Sequence, residues 1–239
     1  MLREREKIDV VVCNGENSAG GAGISLGTAR ELFEAGVDVM TTGDHLWDQR
    51  EVIQLLENEK RFLRPANYPS GVAGRGFTWV SKPGLPDLAV MNLQGRTFMA
   101  ALENPFTVAD ALVNELRQRS PLIFIDFHAE ATSEKIALGW YLDGRVSAIV
   151  GTHTHVQTAD ERILPRGTAC LTDAGFTGGH GGVLGREWPP VVERFLSLTP
   201  QRFGVCETDV KLNGCVVELD NDTGKALAIR RISEPVMLV

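Results

Sequence analysis

Residues 121–155 read PLIFIDFHAEATSEKIALGWYLDGRVSAIVGTHTH. Residues 121–127 are an apolar run of strand length that reads as fully buried, 132–142 have the length and spacing of a helix, and 146–150 return to a strand-like run. Strand, helix and strand in this order are the signature of a layered α/β fold. Upstream, residues 8–13 predict a strand ending at Asn14-Gly15, 26–35 a helix stopped by Gly36, and 37–42 a second strand. A helix is expected over 48–59 with Asp48 as its N-cap, followed by a hairpin formed by 77–81 and 88–93 around residues 82–87, and a helix over 108–119. Downstream come a short strand at 168–172, the glycine-rich GFTGGHGG of 175–182, a helix around 191–198 and two closing strands within 203–233. The sheets are therefore expected to be mixed. With no long linker, internal repeat or low-complexity tract, residues 1–239 are expected to form one domain.

Composition narrows the functional classes. The chain has 239 residues, 43% of them hydrophobic, and 24 Lys+Arg against 31 Asp+Glu, a formal charge of −7. That content supports a buried core and excludes disorder and collagen-like classes. The acidic balance, without a basic run, argues against stable binding to duplex nucleic acid. No stretch reaches the roughly 18–20 apolar residues of a membrane span, and the opening MLREREK has no apolar signal core, so a cytoplasmic location is expected. Cysteines 13, 170, 206 and 215 have no C-x-x-C spacing and read as reduced thiols.

The chemistry gathers at predicted strand ends. Asn14-Gly15-Glu16-Asn17, Gly43-Asp44-His45, Asp126-Phe127-His128 and Gly151-Thr152-His153-Thr154-His155 each follow a strand, and four of the five histidines fall within them. In open α/β sheets the ligand crevice lies outside the carboxyl ends of the strands. His153 and His155, two residues apart, can present both imidazoles to one cluster, and with Glu16, Asn17, Asp44 and His128 they form a mixed His, carboxylate and amide donor set. Such sets suit Mn, Fe or Zn and are typical of two-metal hydrolytic centres, which acidify a bound water and clamp a phosphoryl group. Asp44 reads as a ligand, and its neighbour His45 as a general acid that protonates the leaving oxygen. Glu130 and Glu134 read as capping or supporting groups, with Thr132 or Ser133 as the helix cap. Arg96 is a candidate phosphate-binding residue, alongside a plain structural reading. Neither 175–182 nor 20–23 has the phosphate-loop pattern.

Asn14-Gly-Glu-Asn17, Gly43-Asp-His45, Asn92-Leu-Gln-Gly-Arg96, Asp126-Phe-His-Ala-Glu-Ala-Thr-Ser-Glu-Lys135 and Gly151-Thr-His-Thr-His-Val-Gln-Thr-Ala-Asp160 closely resemble the YmdB family of calcineurin-like metallophosphoesterases across essentially the whole chain. The resemblance implies a four-layer α/β/β/α sandwich and a dinuclear centre of two divalent or trivalent ions, with Fe or Mn favoured over Zn or Mg. It also implies phosphodiesterase activity on cyclic nucleotides such as 2′,3′-cyclic AMP or related small phosphoesters, and a homo-oligomeric state. Carried over by position, Glu16 would bridge the metals, Asn17, His128, His153 and His155 would complete the ligand set, and His45 would be the catalytic acid.

Two positions depart from the family pattern. Asp44 replaces the family's usual Asn, which keeps an oxygen ligand but adds negative charge. One metal is then expected to bind more tightly and act as a weaker Lewis acid. Family members also begin with a strand ending in G-D-x-x-G, whose Asp ligates one metal, and no such motif precedes Ile8. The expectation is a native start further upstream. The alternative is a shortened homologue with a damaged first site, a regulator that binds a nucleotide or protein partner without turnover. A third reading, an RNA nuclease, would need a basic rim drawn from Arg64, Arg96, Arg145 and Arg166.

Overall fold

The computed structural model describes residues 2–236. In chain order the elements are α1 (Leu2–Arg5), β1 (Val12–Asn14), α2 (Leu26–Glu34), β2 (Val39–Thr41), α3 (Val52–Asn58), β3 (Phe77–Val80), β4 (Leu88–Gln94), α4 (Pro105–Leu116), β5 (Ile123–His128) and α5 (Thr132–Leu142). They continue with β6 (Ala148–Thr152), β7 (Arg162–Ile163), β8 (Ala169–Leu171), β9 (Gly178–Gly179), α6 (Trp188–Ser197), β10 (Val210–Leu219) and β11 (Ala226–Pro235).

Six strands form one sheet in the order β3-β4-β5-β6-β8-β7. Its centre is parallel, and β3 and β7 close its two edges antiparallel. Opposite it lie the parallel pair β1-β2 and the antiparallel sheet β11-β10-β9. Strand alternation divides the core into layers. Ala89, Met91 and Leu93 of β4, with Ile123, Ile125 and Phe127 of β5, pack outward on Ala109, Val113 and Leu116 of α4 and Leu138 and Leu142 of α5. The intervening residues face the other sheets, where Val90 meets Val39 and Leu63, and Phe124 packs with Val217, Leu219 and Ile229. Met40 of β2 carries α2 and α3 on its outer side through Ala29, Val52, Leu55 and Leu56. The result is the expected α/β/β/α sandwich with mixed sheets.

Several local expectations shift. Asp48 does not cap α3, which begins at Val52 with no side-chain cap bond; its carboxylate lies 2.8 Å from His45 Nδ1 instead. Nor does Thr132 or Ser133 cap α5: Ala131 holds that position without a side-chain bond. Glu134 accepts hydrogen bonds from the Arg96 and Thr97 backbone N–H groups, tying the turn after β4 to α5. The short strands β7 and β9 have too few residues to leave a pattern in the sequence. All four cysteines are unpaired. Burial pushes the Cys13 thiol up to about 11 and those of Cys170 and Cys215 to about 12, which keeps them as unreactive thiols at neutral pH.

Candidate metal centre

The carboxyl ends of β1, β2, β5 and β6 meet where the sheets face each other, and Asp126 joins them. This carboxylate of β5 is 3% exposed. It accepts hydrogen bonds from Asn14 Nδ2 of β1 (3.0 Å), from the Thr41 hydroxyl of β2 and from Thr152 Oγ1 of β6 (2.7 Å). Burial raises its pKa, and those bonds together with His128 work against the rise. Asn92 of β4 adds a further tie, accepting from Thr42 N–H at 3.0 Å.

Just beyond these ends the predicted ligands converge. His128 Nε2 stands 2.9 Å from Glu16 Oε2, 2.9 Å from Asp44 Oδ1 and 3.1 Å from His153 Nδ1. His153 Nδ1 is 3.2 Å from Asp44 Oδ1. One imidazole nitrogen carries at most one proton and cannot satisfy three neighbours at once. With metal–ligand bonds of about 2.1 Å, adjacent ligands on one ion stand about 3 Å apart, the spacing seen here. Asp44, His128 and His153 form one potential ligand group, and Glu16, Asp44 and His45 form a second that shares Asp44.

Two further observations fit a cation. Asn17 Oδ1 and His155 Nδ1 are buried without a hydrogen-bond partner, a costly arrangement that a metal ion relieves. At Gly43, an added Cβ would sit 2.2 Å from Glu16 Oε2 and 2.2 Å from His128 Nε2, so the backbone passes directly against the cradle. The residues present therefore fit a metal ion. Glu16, Asn17, Asp44, His128, His153 and His155 are the candidates that could hold it.

The protonation pattern of the metal-free protein reflects the crowding. Burial opposes a proton on His128, but hydrogen bonds to Asp44 and Glu16 outweigh it and raise its pKa to about 9. Burial likewise pushes Asp44 upward, yet the bonds from His128 and His153 hold its carboxyl well below the usual carboxylate range. Burial lowers the pKa of His155, which favours the neutral imidazole that ligates metals.

The other candidates fall into place around this cluster. His45 is exposed; its backbone N–H donates to Glu16 Oε1 at 2.9 Å, and its Nδ1 faces Asp48 Oδ2. Asn17 Nδ2 lies 3.4 Å from His155 Nε2. Glu130 Oε2 sits 2.9 Å from His153 Nε2, orienting that ring from behind. Arg96 is not drawn in: only its backbone N–H is tied down, by Glu134, and its side chain lines an open groove with Thr97, Asn104 and Phe106. Arg64 cannot serve as a basic rim, because it is buried and donates to the Ala73, Pro65 and Val72 carbonyls. Sequence reasoning missed Asp126 and Gly43, although both stand inside the quoted motifs.

A family model described as "YmdB-like protein" matches residues 1–232. The chain belongs to the YmdB-like family. A Bacillus subtilis relative named 2′,3′-cyclic-nucleotide 2′-phosphodiesterase is 49% identical over 231 residues, spanning 97% of this chain and 87% of the relative. The crystal structure of a hypothetical protein from Thermus thermophilus matches with a TM-score of 0.90 and 41% identity, over 97% of this chain and 90% of that one. A Mycoplasma pneumoniae structure described as a novel phosphatase matches with a TM-score of 0.89 and 35% identity, over 98% of this chain and 85% of that one. Among the described residues no helix is long and apolar enough to cross a membrane.

Gly43→Ala should abolish tight metal uptake while the chain still folds, because the new methyl group would occupy the ligand cradle. Elemental analysis of the variant beside the unaltered protein, with far-ultraviolet circular dichroism of both, checks this. Equal metal content would contradict the placement of the site.

Proposed function

We propose that this YmdB-like chain is a metal-dependent phosphodiesterase that hydrolyses a 2′,3′-cyclic nucleotide or a related small phosphoester. The observation that carries this reading is the convergence of Glu16, Asp44, His128 and His153 just beyond four strand ends, with Asn17 Oδ1 and His155 Nδ1 buried and unpartnered. The name of the Bacillus subtilis relative supports the substrate class. Six candidate ligands are more than one ion with an open position needs, which supports two ions, with Fe or Mn the favoured metals for a mixed nitrogen and oxygen set. When bound, the ions supply Lewis acidity toward the phosphoryl oxygens and acidify the attacking water.

The chain's own residues supply orientation and the proton. Asp48 fixes His45 Nδ1 as a donor, which leaves Nε2 as the nitrogen that faces substrate. A proton held there passes to the ribose oxygen as its bond to phosphorus breaks. Leu46, fully buried between His45 and Trp47, anchors this turn so that both flanking side chains stay exposed. The Trp47 indole donates its N–H to the Tyr68 hydroxyl at 3.2 Å, with the rings edge to face at 5.9 Å. Held in this way beside His45, it offers a flat surface suited to a nucleobase.

A homo-oligomer belongs to the same reading. Trp188, Val192, Phe195 and Leu196 recur at helical spacing along α6, and Phe195 and Leu196 are each 78% exposed. A second copy of the same helix, packed across a two-fold axis, would cover this stripe. The unpaired thiols fit a reducing compartment and support a cytoplasmic location.

His45→Ala should lower kcat for 2′,3′-cyclic AMP by about 10²–10⁴-fold, the usual contribution of a positioned acid, with metal content retained. Turnover at the unaltered rate would remove His45 from the mechanism. Replacing Phe195 and Leu196 together with Asp should reduce the sedimenting mass to that of one chain. An unchanged mass would move the oligomer contact elsewhere.

A further inference from the structure

The conspicuous DFHAEATSEK block ends in Lys135, which takes no part in the ligand cluster yet is buried. Its side chain is 3% exposed, and its Nζ lies 2.8 Å from Oδ2 of Asp173, which is 1% exposed. A buried ion pair of this kind needs its remaining hydrogen-bonding capacity filled, and Thr154 supplies most of it. Thr154, the residue between His153 and His155, donates its backbone N–H at 3.1 Å and its hydroxyl at 2.7 Å to Asp173 Oδ2. Lys135 Nζ also reaches the Thr154 hydroxyl at 3.3 Å. Asp173 Oδ1 accepts from Gly175 N–H at 2.8 Å, and the Asp173 backbone exchanges bonds with Thr158.

The two residues flanking Thr154 are conformationally unusual. His153 has φ 99° and His155 φ 66°, both in the left-handed region that residues with side chains avoid. A strained turn persists only where its surroundings over-determine it, and here both hydrogen-bond donors of the intervening residue are fixed on one buried carboxylate. The route from α5 to the turn is also built in. A Cβ at Gly151 would stand 1.8 Å from the Thr172 carbonyl oxygen and 3.0 Å from Lys135 Cδ, so the lysine stem passes a strand position that only glycine can occupy.

We infer that the Lys135–Asp173 pair positions the two-histidine turn: by gripping Thr154 it imposes the left-handed backbone that aims His153 and His155 into one metal centre. Lys135, Asp173 and Thr154 are positioning residues that act on metal affinity through the two imidazoles. The inference rests on the metal reading given above and does not depend on which phosphoester is the substrate.

The test is zinc affinity measured by competition with a chromophoric chelator, together with the thermal midpoint of each metal-free protein. The variants are Thr154→Val, Thr154→Ser, Asp173→Asn and Lys135→Met. Thr154→Val should weaken zinc binding by about 10–100-fold, the range typical of residues that orient metal ligands, and Thr154→Ser should restore it. The metal-free midpoint of Thr154→Val should stay near that of the unaltered protein, and its cobalt-substituted form should show an altered visible spectrum. Asp173→Asn and Lys135→Met should weaken zinc in the same direction; if either fails to fold, the threonine pair decides the question. Unaltered zinc affinity in Thr154→Val, or a lowered midpoint with affinity intact, would overturn the inference and leave the metal site standing. Failure of the unaltered protein itself to take up zinc would overturn the metal reading on which the inference rests.

Discussion

A carboxylate buried where two β-layers meet must be satisfied by whatever surrounds it, and at Asp126 this requirement organises the molecule. Its partners are Asn14, Thr41 and Thr152, one from each of three strands drawn from both layers. Each lies at or beside the carboxyl end of its strand, so satisfying Asp126 aligns those ends. The chain then continues within a few residues into Glu16 and Asn17, into Asp44 and His45, and into His153 and His155. His128 follows Asp126 on the same face of the same strand. Convergence of the ligands is thus a consequence of sheet register fixed from below.

The centre is built at a cost in local stability. Like charges and unpartnered polar atoms are collected in a small, partly buried space, glycine is required at position 43, and two histidines occupy left-handed backbone. Hydrophobic layers on both outer faces of the sandwich supply the compensating burial, with α4 and α5 on one side and α2 and α3 on the other. Strain and unsatisfied polarity within a cluster of potential ligands are the pattern of a site that works with a bound group.

Much of this is legible in the sequence because it is local. The β-α-β order, the polar residues at strand ends and the two-residue spacing of His153 and His155 depend only on neighbours along the chain. The supporting interactions are not local. Asp126 is satisfied from positions 14, 41 and 152, and Lys135 from 154 and 173, partners that only the folded topology brings within reach. Asp48 shows the other limit: its type suits a helix cap, but the turn that presents His45 claims its carboxylate first. Arg96 has the right chemistry for phosphate, yet the bond from its own backbone to Glu134 fixes the turn without bringing the guanidinium to the cluster.

The most direct test of the account is an anomalous difference map from crystals grown with manganese. The account predicts two peaks about 3.5–4 Å apart, bracketed by Glu16, Asn17, Asp44, His128, His153 and His155. A map without anomalous density among these residues, from a protein otherwise folded as described, would contradict it.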